Sequence, residues 1–234
     1  MGKGEDGKAQ THEVKVAAIF TEHPRPGEDP WRDLNSTTYV ATDERCGEFG
    51  GMVRAEFFRR FKNAPETIAL GDAADWIRNA VDINFPQATR IVDWHHAAEH
   101  VASMAEIVYT RDSVPWKRLR RKWTGKLWNG KIDALAQAAR TAFPKNKTKV
   151  GEKALAYFIK NREAMRYDVF RKKGYFIGSG VVEAGCKTIV CQRFKCSGMH
   201  WSQIGLKNLL AIRTAILSNR YDDFWAWRRK PKAA

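Results

Sequence analysis

The sequence has no run of 18 apolar residues, and its N-terminus lacks the apolar segment of a signal peptide. We therefore expect neither membrane insertion nor secretion, and we predict a cytoplasmic protein. Cysteine is scarce, with Cys46, Cys186, Cys191 and Cys196 and no Cys-x-x-Cys pair. The last three lie five residues apart, which spreads them around an α-helix rather than along one face. We therefore predict reduced thiols and no three-thiolate metal site.

Acidic side chains are few in the second half of the chain. The 234 residues carry 41 Lys and Arg against 26 Asp and Glu, a formal net charge of +15. Residues 1–110 have 12 basic and 18 acidic side chains, whereas residues 111–234 have 29 basic and 8 acidic ones. With 44% hydrophobic residues the chain can bury a sizeable core, so this excess predicts a folded protein with a polyanionic partner.

Hydrophobic periodicity predicts an α/β protein. Strands are expected at 12–20, 36–42, 67–72 and 89–93, with a loop over 22–35. Helices are expected at 48–63, 73–84, from 94 through 100, at 181–195 and at 202–218, and residues 101–175 show only helical spacing. The strand, helix, strand order of residues 67–93 predicts two parallel strands.

Two carboxylates are candidates for metal chemistry. Asp72 follows a buried strand, where an open α/β sheet places its ligand crevice, but it could equally cap the next helix. Glu183 is the only acidic residue between Asp168 and Asp222 and lies among cations, as a metal site on a phosphodiester-binding face requires. The alternative for Glu183 is an ion pair with Lys187 one helical turn away.

The segment His96-Ala97-Ala98-Glu99-His100 matches the inverted zinc-peptidase pattern His-x-x-Glu-His. A zinc hydrolase is therefore an alternative function, although peptidase chemistry does not explain the basic second half. The other interpretation is a helix that packs on the sheet, with His96 near Asp93.

Cations and tryptophans alternate between Trp116 and Trp128. Their spacing predicts a helix with a tryptophan face in the core and a basic face toward DNA, a solvated cationic face being the alternative. The candidate DNA-binding residues here and in the later helix are Lys117, Arg118, Arg120, Arg121, Lys122, Lys126, Lys187, Arg193 and Lys195.

Taken together, several blocks of the chain resemble the ISKra-type transposases of bacterial insertion sequences, in order and in spacing. These blocks are Ala69-Leu70-Gly71-Asp72, Asn84-Phe85-Pro86-Gln87-Ala88, Ile91-Val92-Asp93-Trp94-His95-His96, Ile177-Gly178-Ser179-Gly180-Val181-Val182-Glu183 and Ser197-Gly198-Met199-His200-Trp201. The resemblance covers nearly the whole chain.

The resemblance implies an RNase H-like mixed sheet, interrupted by a large helical insertion and followed by C-terminal helices. The implied organisation is a disordered basic N-terminus at 1–11, the first part of the core at 12–100, the insertion at 101–175, the rest of the core at 176–222 and a basic tail at 223–234. It also implies a nucleoid-associated homo-oligomer that acts on the DNA of element ends and targets.

In this family an Asp-Asp-Glu triad holds two Mg²⁺ or Mn²⁺ ions for DNA strand cleavage and transfer. Asp72 is similar to the second Asp and Glu183 to the Glu, while Asp93 is similar to a near-site position. The first Asp of the triad, on the first strand, has no match, since Asp6-Gly7 lies in a polar segment; His95 stands where the family usually has Tyr. We therefore expect a transposase portion that lacks its first strand and is inactive alone, or a DNA-binding remnant without catalysis.

Overall fold

The computed structural model describes residues 13–61, 64–197 and 199–229, so the segment 1–11 that we expected to be disordered lies outside the described residues. The strands are β1 (Lys15–Ile19), β2 (Glu22–His23), β3 (Trp31–Arg32), β4 (Thr38–Thr42), β5 (Ile68–Gly71) and β6 (Thr89–Val92). The first helices are α1 (Cys46–Arg60), α2 (Asp75–Asn84), α3 (Trp94–Glu106), α4 (Val114–Trp128), α5 (Ile132–Ala142), α6 (Thr148–Lys160) and α7 (Tyr167–Lys172). They are followed by α8 (Gly180–Gly185), a π-helical segment (Cys186–Cys191), α9 (Gln192–Phe194), α10 (Gln203–Leu217) and α11 (Tyr221–Arg228).

The protein is a mixed α/β protein in which helices predominate and the sheets are small. Each sheet formed by the described residues has two strands. Within these residues no helix combines the length and the apolar composition needed to cross a bilayer. The chain divides into two compact units, which are described separately.

Of the described residues, the first unit comprises 13–21, 32–61, 64, 180–197 and 199–229. Strands β1 and β4 pair antiparallel, from Lys15 opposite Thr42 to Ile19 opposite Thr38. Helix α10 packs on β4 and α8 packs on β1. Gly185, the last residue of α8, lies against Tyr39 of β4, where a Cβ would be 2.8 Å from the Tyr39 ring. The core cluster of this unit consists of Ala41, Ile189, Leu206 and Leu210.

The second unit comprises residues 22–31 and 65–179. Strands β5 and β6 pair parallel and are connected through α2, which is the predicted strand, helix, strand unit. Helices α3 to α6 pack on one another in sequence, and their apolar faces form one cluster with Ile91 and Val92 of β6. The helical segment 101–175 therefore shares its core with the parallel strands and does not form a unit of its own.

Most predicted elements are confirmed to within a few residues, and three differ. The expected helix 181–195 is interrupted by the π-helical segment, and the expected loop 22–35 contains the short strands β2 and β3. Residues 223–228, assigned to the basic tail, belong to α11, and residues 230–234 lie outside the described residues.

Candidate functional site

The carboxyl ends of β5 and β6 bring two aspartates to one edge of the parallel pair. Gly71 lies opposite Val92 in the register, so Asp72 and Asp93 are the next residues on neighbouring strands. The backbone N–H of Asp93 donates to the carbonyl of Gly71 at 2.7 Å. This is the edge at which parallel sheets place ligands.

Asp93 is a buried capping residue. Its side chain is 3% exposed, and Oδ1 accepts from the backbone N–H of His96 at 2.7 Å, which caps α3. Oδ2 accepts from the backbone N–H of Ser179 at 2.6 Å. Both carboxylate oxygens therefore hold backbone amides, and Asp93 ties the start of α3 to the segment that ends this unit.

Asp72 is the exposed carboxylate of this edge. Its Oδ1 accepts from the backbone N–H of Ala74 at 2.8 Å, and no other hydrogen bond to this carboxylate comes from the described residues. The N-cap of α2 is Ala74 and not Asp72, so the capping alternative holds only in that Asp72 accepts from the Ala74 amide just before the helix. Asp75 lies in the first turn of α2, where it pairs with Lys160 and Arg78.

Two histidines and a tyrosine lie close to these aspartates. The rings of His96 and His100 are 4.9 Å apart, and His100 stacks on Tyr157 at 3.8 Å. Burial, and then the charge of His96, lower the pKa of His100. Burial raises the pKa of Tyr157, as do the negative charges of Asp72 and Asp93, and its buried hydroxyl has no hydrogen-bond partner among the described residues.

The His-x-x-Glu-His segment is accordingly part of a packed cluster. One face of the His100 ring lies against Tyr157, and Glu99 is exposed. His96 contributes its backbone N–H to the Asp93 cap. Among the described residues there is no group of three or more His, Cys, Asp or Glu side chains arranged to hold a metal ion.

Glu183 lies in α8 and belongs to the first unit, whereas Asp72 and Asp93 belong to the second. Its side chain is exposed in the first turn of α8, and its charge is among the causes that raise the pKa of the half-buried Cys186. Burial is the main cause of that shift, followed by the charge of Cys191. The candidate cations Lys187, Arg193 and Lys195 of this unit are all exposed.

Helix α4 has the two faces that the sequence predicts. Ser113 caps it by accepting from the N–H of Trp116 at 3.3 Å. Trp116, Trp123 and Leu127 are buried at 3%, 0% and 0% exposure. Of its cations, Lys117, Arg118, Arg120, Arg121 and Lys122 are exposed and Lys126 is half-buried.

The cations of α4 make no ion pair with any residue that the structure describes. Cations of the neighbouring helical segments do: Arg140 pairs with Glu152 at 2.9 Å, and Arg162 pairs with Asp133 at 2.9 Å. No acidic side chain of the described residues therefore pairs with the cations of α4, whereas Arg140 and Arg162 are both paired.

A cleft next to α4 contains residues that the sequence analysis did not single out. It is lined by Trp94, Lys117, Arg120, Arg121, Thr124, Gly125 and Trp128 and has a volume of about 620 Å³. Trp94 lies in α3, 34 residues before Trp128. Helix periodicity predicts which residues share one face of a single helix. It does not predict that Trp94 of α3 lies beside the residues of α4.

Comparison of the chain with protein-family models, with curated proteins and with solved structures gives no match. The assignment of a function therefore depends on the chemistry of the described residues.

Proposed function

We propose that this chain binds DNA through the exposed cations of α4 and takes part in transposition as ISKra-type transposases do. The observation that carries the proposal is the α4 surface, which bears six cations, no acidic residue and no ion pair to a described residue. Lys and Arg at such a surface neutralise phosphates and release the counterions condensed on DNA.

Electrostatics favours this function over a merely solvated face. Lys117 and Arg121, and likewise Arg118 and Lys122, are like charges at i,i+4, and each such pair destabilises an isolated helix by about 0.2–0.5 kcal/mol. Helix α6 contains one such pair, Lys149 and Lys153, but it also contains Glu152, whereas α4 contains no acidic residue. A bound polyanion would relieve the repulsion along α4.

The proposal extends to the fold and to the assembly. The chain order is an antiparallel pair, then a parallel pair joined by a helix, then a helical segment and C-terminal helices. This order supports an RNase H-like fold with a helical insertion. A homo-oligomer follows from the proposal, because transposition joins two element ends to one target DNA.

We do not include DNA cleavage in the proposal for this chain. Two-metal phosphoryl transfer needs ions about 3.5–4 Å apart, held by shared carboxylates. The described residues form no three-ligand group, and both oxygens of Asp93 already accept backbone hydrogen bonds. Asp72 and Glu183 are exposed carboxylates to which Mg²⁺ or Mn²⁺ would bind weakly.

Fluorescence anisotropy with a labelled duplex, at several salt concentrations, tests DNA binding. The Arg118→Ala/Lys122→Ala double variant should reduce the slope of log K against log salt by about 1–2, because each lost phosphate contact removes about 0.9. The matched control is Arg140→Ala/Arg162→Ala, which removes the same charge from cations that are already paired. The control should leave the slope unchanged.

If both double variants reduce the slope of log K against log salt equally, only the net charge of the protein matters. That result would overturn the proposal that α4 is the DNA-binding surface. Cleavage of element-end DNA in Mg²⁺ or Mn²⁺, abolished by both Asp72→Asn and Glu183→Gln, would overturn the expectation that this chain is inactive alone. Stoichiometric zinc that is lost in His96→Ala would favour the hydrolase instead.

A further inference from the structure

The cleft beside α4 is lined by both aromatic and cationic side chains. Trp94 and Trp128 are half-buried, so part of each indole remains accessible. Lys117, Arg120 and Arg121 are exposed, and no acidic residue lines the cleft. Its volume of about 620 Å³ lies within the range of about 300–1,000 Å³ that is usual for small-ligand sites.

The two indoles are held in place from behind. Trp94 packs edge-on against Trp128 at 4.6 Å and against Tyr167 at 5.1 Å. The buried hydroxyl of Tyr167 donates to the carbonyl of Val92 at 2.9 Å. The aromatic lining is therefore anchored to β6, and little conformational freedom would be lost when a ligand stacks on it.

Arg171 strengthens this arrangement. Its guanidinium lies 3.8 Å from the centroid of the Trp128 ring and donates to the Trp128 carbonyl at 3.2 Å. A cation over an aromatic ring is attracted by the ring quadrupole, so Arg171 fixes the orientation of the indole. Arg171 thereby covers one face of the Trp128 indole and holds the ring in place at the C-terminal end of α4.

We propose that this cleft holds one unpaired nucleotide of a DNA strand, with its base against Trp94 and Trp128 and its phosphate on Lys117 and Arg121. The inference rests on the proposed DNA binding and names the form of DNA that this part of α4 recognises. A flat base offers a face for stacking on indole, and the neighbouring cations match the phosphate.

An unpaired nucleotide fits better than a paired one. In a duplex both faces of a base are covered by its neighbours, so a concave aromatic cleft can only receive a base that has left the stack. Trp94 directly follows Asp93 in the chain, but neither Asp72 nor Asp93 lines the cleft.

A duplex with a single bulged 2-aminopurine tests the inference, with the same duplex fully paired as the reference. We expect the bulged duplex to bind about tenfold more tightly, since stacking of one base on an aromatic side chain stabilises by that order. The fluorescence of the bulged 2-aminopurine should fall on binding, because stacking on indole quenches it. The Trp128→Leu variant should lose most of the preference for the bulge.

The control variant is Trp31→Leu, whose indole is also exposed but does not line the cleft. It should keep both the preference and the quenching. If Trp128→Leu does not fold, as circular dichroism would show, the quenching by the unmodified protein still decides the question. Free dAMP and ATP are tested as competitors, because a free nucleotide shares the chemistry of a strand nucleotide.

Equal affinity for bulged and paired DNA, with no quenching, would overturn the inference while leaving DNA binding through α4 intact. Tight binding of free ATP that is lost in Trp128→Leu, without any preference for the bulged duplex, would assign the cleft to a free nucleotide and would also overturn the inference. Failure of the proposed function looks different, since neither duplex would then respond to Arg118→Ala/Lys122→Ala.

Discussion

Asp72 and Asp93 occupy equivalent positions after two neighbouring strands, but their surroundings give them different burial and different hydrogen bonds. Each follows the last residue of a strand in the parallel pair. Asp93 is buried and accepts two backbone hydrogen bonds, whereas Asp72 is exposed and accepts one from Ala74. Only the exposed aspartate is available for a ligand, and only the buried one supports the fold.

Replacement of Asp93 should therefore be much more destabilising than replacement of Asp72. Asp93→Ala removes the cap of α3 and leaves the Ser179 amide without its acceptor, which together cost about 2–3 kcal/mol. Asp72→Ala should cost less than about 1 kcal/mol, because water replaces its hydrogen bond. Urea unfolding of both variants measures the difference, and equal costs would contradict the role assigned to Asp93.

Glu22 should make the stability of the folded protein depend on pH. Its Oε1 is buried without a partner among the described residues, and Oε2 accepts from the Phe176 amide at 3.4 Å. Burial, together with the charge of Glu66, raises its pKa to about 7. The folded chain then keeps a proton that the unfolded chain releases, so the stabilisation is complete at low pH and is lost as pH rises through about 7.

The Glu22→Gln variant isolates this contribution. Between pH 5 and pH 8 the unmodified protein should lose on the order of 1 kcal/mol more stability than the variant, a reduced figure because the group keeps some contact with water. His100 acts in the opposite direction, since its lowered pKa makes acidification destabilising, but it is common to both proteins. Parallel curves of unfolding free energy against pH would show that Glu22 is not the group responsible.

Among the elements, α4 has one face that contributes to stability and an opposite face that we propose binds DNA. Its tryptophan face packs into the core, where Trp123 also meets Phe143 edge-on at 6.3 Å. Its cationic face is exposed and unpaired with the described residues. Substitutions on the two faces should therefore change different properties of the protein.

Trp123→Ala should destabilise the protein by about 3–5 kcal/mol, because it leaves a cavity in a fully buried site. Its neighbour in the sequence, Lys122, is exposed, and Lys122→Ala should change stability by less than about 0.5 kcal/mol while weakening DNA binding. Urea unfolding and anisotropy separate the two effects. A large loss of stability in Lys122→Ala would mean that the cationic face is structural.

At the scale of the whole molecule, the two units differ in the size of their cores. The second unit has one extensive cluster that includes Trp123, Phe158 and Tyr167, whereas the cluster of the first unit consists of four buried residues. A smaller buried apolar surface gives a smaller hydrophobic stabilisation. We therefore expect the first unit to open at a lower free energy than the second.

Hydrogen exchange with a matched pair of core variants measures this difference. Leu210→Ala, in the core of the first unit, should accelerate exchange in β1, β4 and α10 and leave α4 and α5 unchanged. Leu135→Ala, in α5, should accelerate exchange in α4 to α6. Acceleration throughout the chain in both variants would show instead that the units unfold as one.

Local periodicity predicted most elements correctly, because the spacing of apolar residues follows from the geometry of a helix or a strand. The buried tryptophans of α4 and the parallel pair of Asp72 and Asp93 are examples. The π-helical segment was not predictable in this way, because its residues have the same apolar spacing as an α-helix. Nor did the sequence show that the helical segment shares a core with the parallel strands.

Residues close together in the chain were sufficient to predict most elements, the basic second half and the two faces of α4. The packed fold was needed to show that Asp93 is buried, that the α4 cations have no acidic partner among the described residues, and that Trp94 packs against Trp128. These features depend on contacts between residues that are distant in the chain. The Ser179 amide donates to Asp93, and Trp94 packs against Trp128. Glu152 pairs with Arg140, whereas no acidic side chain of the described residues pairs with α4. Burial and pairing are properties of the packed molecule, because water leaves a side chain only when distant parts of the chain cover it.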